Sequence, residues 1–361
     1  MHILHVFPSF QLGGSQRRFA ALANHFGDQY RHTIMSLDGQ SEAVHLLASR
    51  VLHRELPHQR TTSLAATLMR ARRIIRAESP DLLITYNWGA MEWAAANLTC
   101  LTRHIHIEDG FGPEEAHAQL LRRVLFRRAV LNINSTVVLP SRTLVKMATQ
   151  SWRIAAKRII YLPNGIPCAR FQRSSASEST VDFRGEGPVI GTVAALRKEK
   201  ALDRMIHAFC ELRRVQPARL VIVGSGPERD ALEDLVVSRN LTNSVTFTGA
   251  LNHPEHVIAA FDIFAASSDT EQMPLSILEA MAAGLSIAST DVGDIRSMVA
   301  EENQPFIVAK DASALASAML LLLRNEPLHR QIGKANQARA IQNFDEQKMF
   351  SRYRQLFSNQ A

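Results

Sequence analysis

Residues 271–284 read EQMPLSILEAMAAG, and their interpretation decides the fold. Pro274 suits the first turn of a helix, where its missing N–H costs nothing. SILEAMAA (276–283) continues that helix, and Gly284 stops it ahead of the strand LSIAST (285–290). DIFAAS (262–267) reads as the strand before it, so the stretch is one strand–helix–strand unit of a parallel sheet.

The same alternation runs outward in both directions. HILHVF (2–7), HTIMSL (32–37), DLLITY (81–86), HIHIE (104–108), TVVLP (136–140) and IIYLP (159–163) read as strands of a first half. PVIGTVA (188–194), RLVIVG (219–224), SVTFTG (244–249) and PFIVA (305–309) join the two already named in a second. Between the first two strands, Phe19, Leu22, Ala23 and Phe26 keep helical spacing and Gly27 closes the helix. RFQRSSASESTVDFRGEGP (170–188) is Ser-rich and lacks an apolar period. The expectation is an α/β protein of two doubly wound parallel-sheet domains, 1–170 and 188–344, joined by a linker at 171–187. A terminal helix within 345–361 is expected to pack back on the first domain. Ligands of such sheets bind outside the carboxyl ends of the strands, here in a cleft the two domains would share.

An apolar share of 46% and a charged share of 21% fit a packed globular chain and exclude a disordered one. No apolar run reaches bilayer length; ALASAMLLLL (314–323) reads as a buried helix. The first residues, MHILHVFPSF, lack a basic n-region and a cleavage site, so a cytoplasmic location is expected. Three scattered cysteines (Cys100, Cys168, Cys210) fit a reducing compartment, and no DxD or His/Cys/Asp cluster has metal-ligand spacing. Charge is uneven. Residues 1–170 hold 21 Lys+Arg against 11 Asp+Glu, the remainder 20 against 23, so the first half points to an anionic partner.

The two acids of the opening stretch flank a helix N-terminus, whose unsatisfied amides form an anion site suited to phosphate. Neither Glu271 nor Glu279 can sit against that phosphate. Like charges about 4 Å apart repel by about 4 kcal/mol even at an effective dielectric of 20. Both carboxylates are expected to accept hydrogen bonds from hydroxyls beside the phosphates, which a nucleotide sugar supplies on both sides.

The region AAFDIFAASSDTEQMPLSILEAMAAGLSIASTDVGDI (259–295) resembles the signature of family 4 glycosyltransferases, retaining enzymes of the GT-B fold with two Rossmann-like domains. The family's E-x(7)-E motif has its proline three after the first acid and LEAMA-x-G at the second, as here. FPSFQLGGSQ (7–16), LPNGI (162–166), VIVGSGPERDALE (221–233) and VTFTGAL (245–251) extend the resemblance over nearly the whole chain. It implies that Glu279 binds the donor ribose, that Glu271 contacts the transferred sugar, and that Met273, Pro274, Leu275, Ser276 and Ile277 cradle sugar and diphosphate. Gly224 and Gly249 join the donor set, and no metal is required.

Gly13 and Gly14 follow the first strand, where paired glycines permit φ > 0 and close approach to a ligand. In similar enzymes this loop reaches over the donor diphosphate and the acceptor; here Gln16, Arg17 and Arg18 make its lip basic, suiting an acceptor phosphate. Positive charge must also meet the departing diphosphate. In VAALRKEKALDRMI (193–206), Lys200 matches the family's lysine, but Ala195 stands at the usual arginine and Ala201 at the usual glycine. Arg197 lies two residues on and is expected on the same face if the strand persists. HIHIEDGFGPEE (104–115) resembles the family's I-H-G-E-H-G loop: His106 and Glu108 match, and Asp109 replaces a histidine. Asp109 is expected to accept a bond from a sugar hydroxyl or the acceptor nucleophile. His106 fits an acceptor contact or a core position.

In LAATLMRARRIIRA (64–77), Leu64, Leu68, Ala71 and Ile75 share one helical face and Arg70, Arg72, Arg73 and Arg76 the other. With LLRRVLFRRAVL (120–131), this predicts peripheral docking on an anionic membrane, on the inner face of the cell. Few aromatics interleave with these bases, which argues against nucleic acid. The function expected is transfer of a hexose from a nucleoside diphosphate sugar to a glycan or lipid-linked acceptor, in polysaccharide or glycolipid synthesis. A GT-B nucleotide-sugar epimerase and a non-catalytic nucleotide-sugar-binding protein are the alternatives. A dinucleotide oxidoreductase would need G-x-G-x-x-G after the first strand, which FQLGGSQRR lacks.

Overall fold

A strand buried along its whole length requires a sheet covered on both faces. β1 (His2–Phe7) is such a strand. A computed structural model describes residues 1–57, 63–111, 115, 119–172 and 183–358. Residues 173–182, most of the predicted linker, and 112–114 of the loop after HIHIE lie outside the described residues.

The chain divides into two units: Met1–Asn164 with the chain from Met349 onward, and Gly165–Lys348. In the first, β2 (Arg31–Ser36), β3 (His53–Leu56), β4 (Leu82–Tyr86), β5 (Arg103–Ile107), β6 (Ser135–Leu139) and β7 (Ile159–Tyr161) join β1. Their parallel order is β3-β2-β1-β4-β5-β6-β7, which reverses direction between β1 and β4. The second unit repeats the winding with β8 (Val189–Val193), β9 (Arg219–Val223), β10 (Val245–Gly249), β11 (Ile263–Ala266), β12 (Ser286–Thr290) and β13 (Ile307–Val308). Its order is β10-β9-β8-β11-β12-β13, reversing between β8 and β11. In such sheets the loops leaving the two strands at the reversal diverge and open a crevice.

The helix Glu346–Phe357 supplies Met349, Phe350, Tyr353, Leu356 and Phe357 to the core formed by Phe7, Phe19 and Phe26. Arg103 fastens its end by donating to the carbonyls of Phe357 (2.8 Å) and Leu356. In the helix Leu64–Glu78, Ala71 and Ile75 are buried as their spacing predicts, but Leu64 is 50% exposed and Met69 67%. Leu64 opens the helix at its first residue, beyond reach of the sheet, so the apolar face is shorter than the sequence suggests.

The first sheet also buries five histidines: His2, His5, His32, His104 and His106. His5 Nε2 lies 3.0 Å from His32 Nδ1 and His5 Nδ1 3.1 Å from the Tyr86 hydroxyl. Thr85 Oγ1 is 2.8 Å from both His104 Nε2 and His106 Nδ1. Burial, reinforced by neighbouring His106, pulls the His104 imidazole down to about 3; burial, with His53 and His2 nearby, pulls His32 down to about 4. These rings stay neutral in the folded chain while the unfolded chain protonates near pH 6.5.

The unfolded state therefore binds the extra protons, and stability present above pH 6.5 is lost as pH falls toward 4. A tenfold difference in proton affinity costs about 1.4 kcal/mol. Urea unfolding at pH 7, 6 and 5 is expected to give steadily lower midpoints, before the bulk of the carboxylates titrate. Equal midpoints at pH 7 and 5 would contradict this reading of the histidines.

Candidate functional site

The reversal of the second sheet sets the loop after β8 beside the loop after β11. Ser267 Oγ donates to the Lys200 carbonyl (3.0 Å) and the Asp269 amide to the Glu199 carbonyl (2.9 Å). Arg204 ties the same loop down through the Ser267 carbonyl and the Asp269 carboxylate, 2.6 Å each. Lys200 Nζ forms an ion pair with Glu271 Oε1, and Ser268 Oγ donates to that same oxygen (2.8 Å). Lys200, Ser267, Ser268 and Glu271 line a pocket open to solvent, with Thr192, Pro274, Ser276 and Ile277 on its wall.

The helix at this wall spans Leu275–Ala282 and no side chain caps its N-terminus. Pro274 occupies the cap position, not the first turn: its ψ of 128° is extended. The first amides of a helix find no acceptor inside it, so those of Leu275, Ser276 and Ile277 lie where the sequence leads one to expect an anion site. At the far end Gly284 adopts φ 74°, and the Leu285 amide bonds to the Ala280 carbonyl while that of Gly284 bonds to Met281. This is the left-handed stop that fixes the helix length. Met273 is buried in the core, so its side chain offers no contact to a ligand. Glu279 is half-buried in the second turn and does not line the cavity.

Arg197 departs from expectation. The strand β8 ends at Val193, so two-residue alternation does not carry to 197, and the side chain is exposed away from the cavity. The chain instead tightens into a turn at Lys198–Lys200, and Ala201 takes φ 44°, the left-handed conformation suited to the family's glycine. Gly224 and Gly249 bind each other, Gly224 N–H to Gly249 O at 2.9 Å. A Cβ on Gly224 would meet the Ala194 carbonyl oxygen at 1.9 Å, so this glycine seats the β9 loop against the β8 loop.

Gly293 and Asp294 were not singled out by the sequence reading. Gly293 has φ 57°, and a Cβ there would lie 2.3 Å from the Glu271 carbonyl oxygen. The Asp294 amide donates to the Gln272 carbonyl (3.0 Å). These two residues press on the backbone that carries Glu271.

In the first unit the reversal gathers a different set. Arg18, buried, donates in two bonds to Asp109 (2.5 and 2.7 Å) and in a third to Asn164 (2.8 Å). Burial works to lower the Arg18 guanidinium, but the adjoining carboxylate outweighs it and raises it above its ordinary value. Arg18 is therefore no part of a basic lip; it clamps Asp109, whose amide is held by Asn87 Oδ1 (2.7 Å). Arg17 is exposed, while Gln16 is buried and donates to the Ser9 carbonyl (2.7 Å). Neither Gly13 nor Gly14 has a positive φ: Gly13 is extended and Gly14 opens the helix Gly14–Phe26. His106 is fully buried between Thr85 and Glu108 and presents no surface to an acceptor. Glu108 and Glu115 are buried with Arg127, itself stacked over Trp88 and Trp152, a network that anchors the strand end bearing Asp109.

The sequence showed no cluster with metal-ligand spacing. Among the described residues, His253, Glu255 and His256 bring ligand atoms within 4.8 Å of one another. Arg170 already supplies a cation there, 2.7 Å from Glu255 Oε1 and 3.1 Å from His253 Nδ1.

Residues 176–339 match the family model described as Glycosyl transferases group 1, and residues 12–170 match Glycosyltransferase Family 4. The chain belongs to the family 4 glycosyltransferases. It is 27% identical over 166 residues to the N-acetyl-α-D-glucosaminyl L-malate synthase of Bacillus anthracis, covering 46% of this chain and 44% of that protein. It is 31% identical over 188 residues to the GDP-mannose-dependent α-(1-6)-phosphatidylinositol monomannoside mannosyltransferase of Mycobacterium tuberculosis, 47% of this chain and 48% of that one. The matched part thus spans less than half the length of these relatives. Among solved structures, HepE of Anabaena in complex with UDP-glucose superposes with a TM-score of 0.84 at 19% identity, covering 99% and 100% of the two chains. WaaG, a glycosyltransferase of lipopolysaccharide biosynthesis, gives 0.76 at 17% identity, covering 99% of each. The fold is GT-B.

Replacing Gly293 with alanine is expected to strain a positive-φ position and push the Glu271 loop. The cost is about 1–3 kcal/mol, read as a lower melting temperature, with weaker nucleotide-sugar binding in whatever folds. A variant that melts and binds like the parent would remove Gly293 from the site.

Proposed function

We propose that this protein is a retaining glycosyltransferase that moves a hexose from a nucleoside diphosphate sugar to a glycan or lipid-linked saccharide. The observation that carries the reading is the uncapped helix N-terminus at Pro274–Ile277, with Lys200 and Glu271 on the same cavity. The amides of Leu275, Ser276 and Ile277, with Lys200, bind the diphosphate and stabilise its developing charge without a metal. Glu271 accepts hydrogen bonds from the transferred sugar and Glu279 from the ribose. Asp109, fixed by Arg18, accepts a bond from an acceptor hydroxyl, with Gln16 and Arg17 nearby in the first unit.

In the reaction the bond from C1 to the diphosphate oxygen breaks and a bond from C1 to the acceptor oxygen forms. The acceptor proton passes to the leaving phosphate on the same face, which keeps the anomeric configuration. UDP-glucose bound by HepE and GDP-mannose named in the mycobacterial relative support a nucleoside diphosphate sugar as donor. A lipid-bearing acceptor is supported by that relative's phosphatidylinositol mannoside and by exposed Leu121 (71%), Leu125 (53%) and Met69 (67%) beside exposed Arg73, Arg76, Arg122 and Arg128. No helix of the described residues is long and apolar enough to cross a membrane. Peripheral contact with an anionic bilayer accounts for this mixed surface.

The test is a panel of nucleotide sugars with glycan and lipid-linked acceptors, with and without anionic vesicles. Acceptor-dependent release of nucleoside diphosphate is expected, faster on vesicles. Glu271→Gln and Glu279→Gln should each lower the rate, the former by on the order of 100-fold. Epimerised sugar without acceptor, or binding without turnover in any mixture, would replace this reading with one of its alternatives.

A further inference from the structure

Lys200 and Glu271 have opposite duties in a donor site, one toward the diphosphate and one toward the sugar, yet in this structure they hold each other. We infer that the diphosphate competes with Glu271 for Lys200, so that donor binding exchanges the lysine from carboxylate to phosphate. Ser268 keeps Glu271 in place as this happens. The inference rests on the donor-site reading above.

Three observations carry it. The first is that both donors, Lys200 Nζ and Ser268 Oγ, converge on Oε1, and among the described residues no other donor reaches Glu271. Removal of the lysine therefore leaves the carboxylate oriented by Ser268, whose own carbonyl is pinned by Thr290 Oγ1 (2.7 Å). The second concerns the lysine's backbone, which is fixed while its head is not. The Lys200 carbonyl accepts from Ser267 and its amide donates to the Arg197 carbonyl (3.0 Å). The ammonium sits at the end of a four-carbon stem with rotatable donors, so a swing costs side-chain rotamers only. The third is partial burial: 23% of the Lys200 side chain and 14% of the Glu271 side chain remain exposed. The pair is sheltered enough to matter and open enough to be displaced.

The electrostatics set the direction. A diphosphate carries more negative charge than one carboxylate, so Coulomb attraction favours moving the ammonium to it. Glu271 then loses its cation and keeps a neutral donor, which increases its capacity to accept sugar hydroxyls. The ion pair thus links sugar recognition to diphosphate arrival, and it lowers affinity for the diphosphate by the cost of breaking the pair.

Calorimetric titration with UDP and with GDP tests this on the parent protein, Glu271→Gln, Lys200→Met and the double variant. Glutamine keeps the shape of Glu271 but releases the lysine, so Glu271→Gln is expected to bind the preferred diphosphate about fivefold more tightly than the parent, although it transfers sugar poorly. Lys200→Met should bind more weakly, and in that background Glu271→Gln should bring no gain. Ser268→Ala should raise the KM for nucleotide sugar, with Ser268→Thr restoring it. If the parent binds diphosphate but Glu271→Gln binds equally or more weakly, the exchange is wrong and the donor site stands. A gain that persists without Lys200 also overturns the exchange. If the parent binds neither nucleotide, the donor reading falls and this inference with it.

Discussion

A helix that begins without a side-chain cap leaves its first amides aimed at whatever lies before them, and the rest of this structure is arranged around one such beginning. The helix Leu275–Ala282 starts at the point where the second sheet reverses its winding, so the loops after β8 and β11 both pass its N-terminus. The first loop contributes Lys200 and the second Glu271. Ser267 and Arg204 stitch the two loops together, Ser268 orients Glu271 within the second, and Gly293 and Asp294 hold that loop from behind. Positive potential from the dipole and the lysine meets one carboxylate, which suits a ligand that is anionic in one part and rich in hydroxyls in the next.

The first unit uses the same winding for another purpose. Near its reversal point stands a clamped carboxylate, Asp109, with Arg18 and Asn87 as its supports. Behind it the buried Glu108–Arg127–Glu115 network stiffens the strand end. Removing one member of such a network leaves an uncompensated buried charge, which makes the arrangement hard to alter singly.

Most strands were legible because buried parallel strands are continuous apolar runs; β3 was not, since HREL at the sheet edge is largely exposed and carries no such run. The E-x(7)-E stretch was legible because its partners are local: proline, helix and stop glycine lie within fourteen residues. Arg18 and Asp109 are 91 positions apart, and only the β1–β5 arrangement joins them. Ser268 and Gly293 look like ordinary loop residues; their roles come from contact with Glu271, which one-dimensional spacing does not encode. Arg197 failed because the alternation rule was extended past the end of β8. His106 was legible as a strand residue, but not which side of the sheet it faced.

In the proposed site, the amides at Leu275–Ile277 and Lys200 recognise a pyrophosphate. Titrating the protein with uridine, UMP and UDP, and with the guanosine series, measures that directly. Affinity is expected to rise with each phosphate in the accepted series and to weaken with added salt. A nucleoside that binds as tightly as its diphosphate, with no salt dependence, would contradict it.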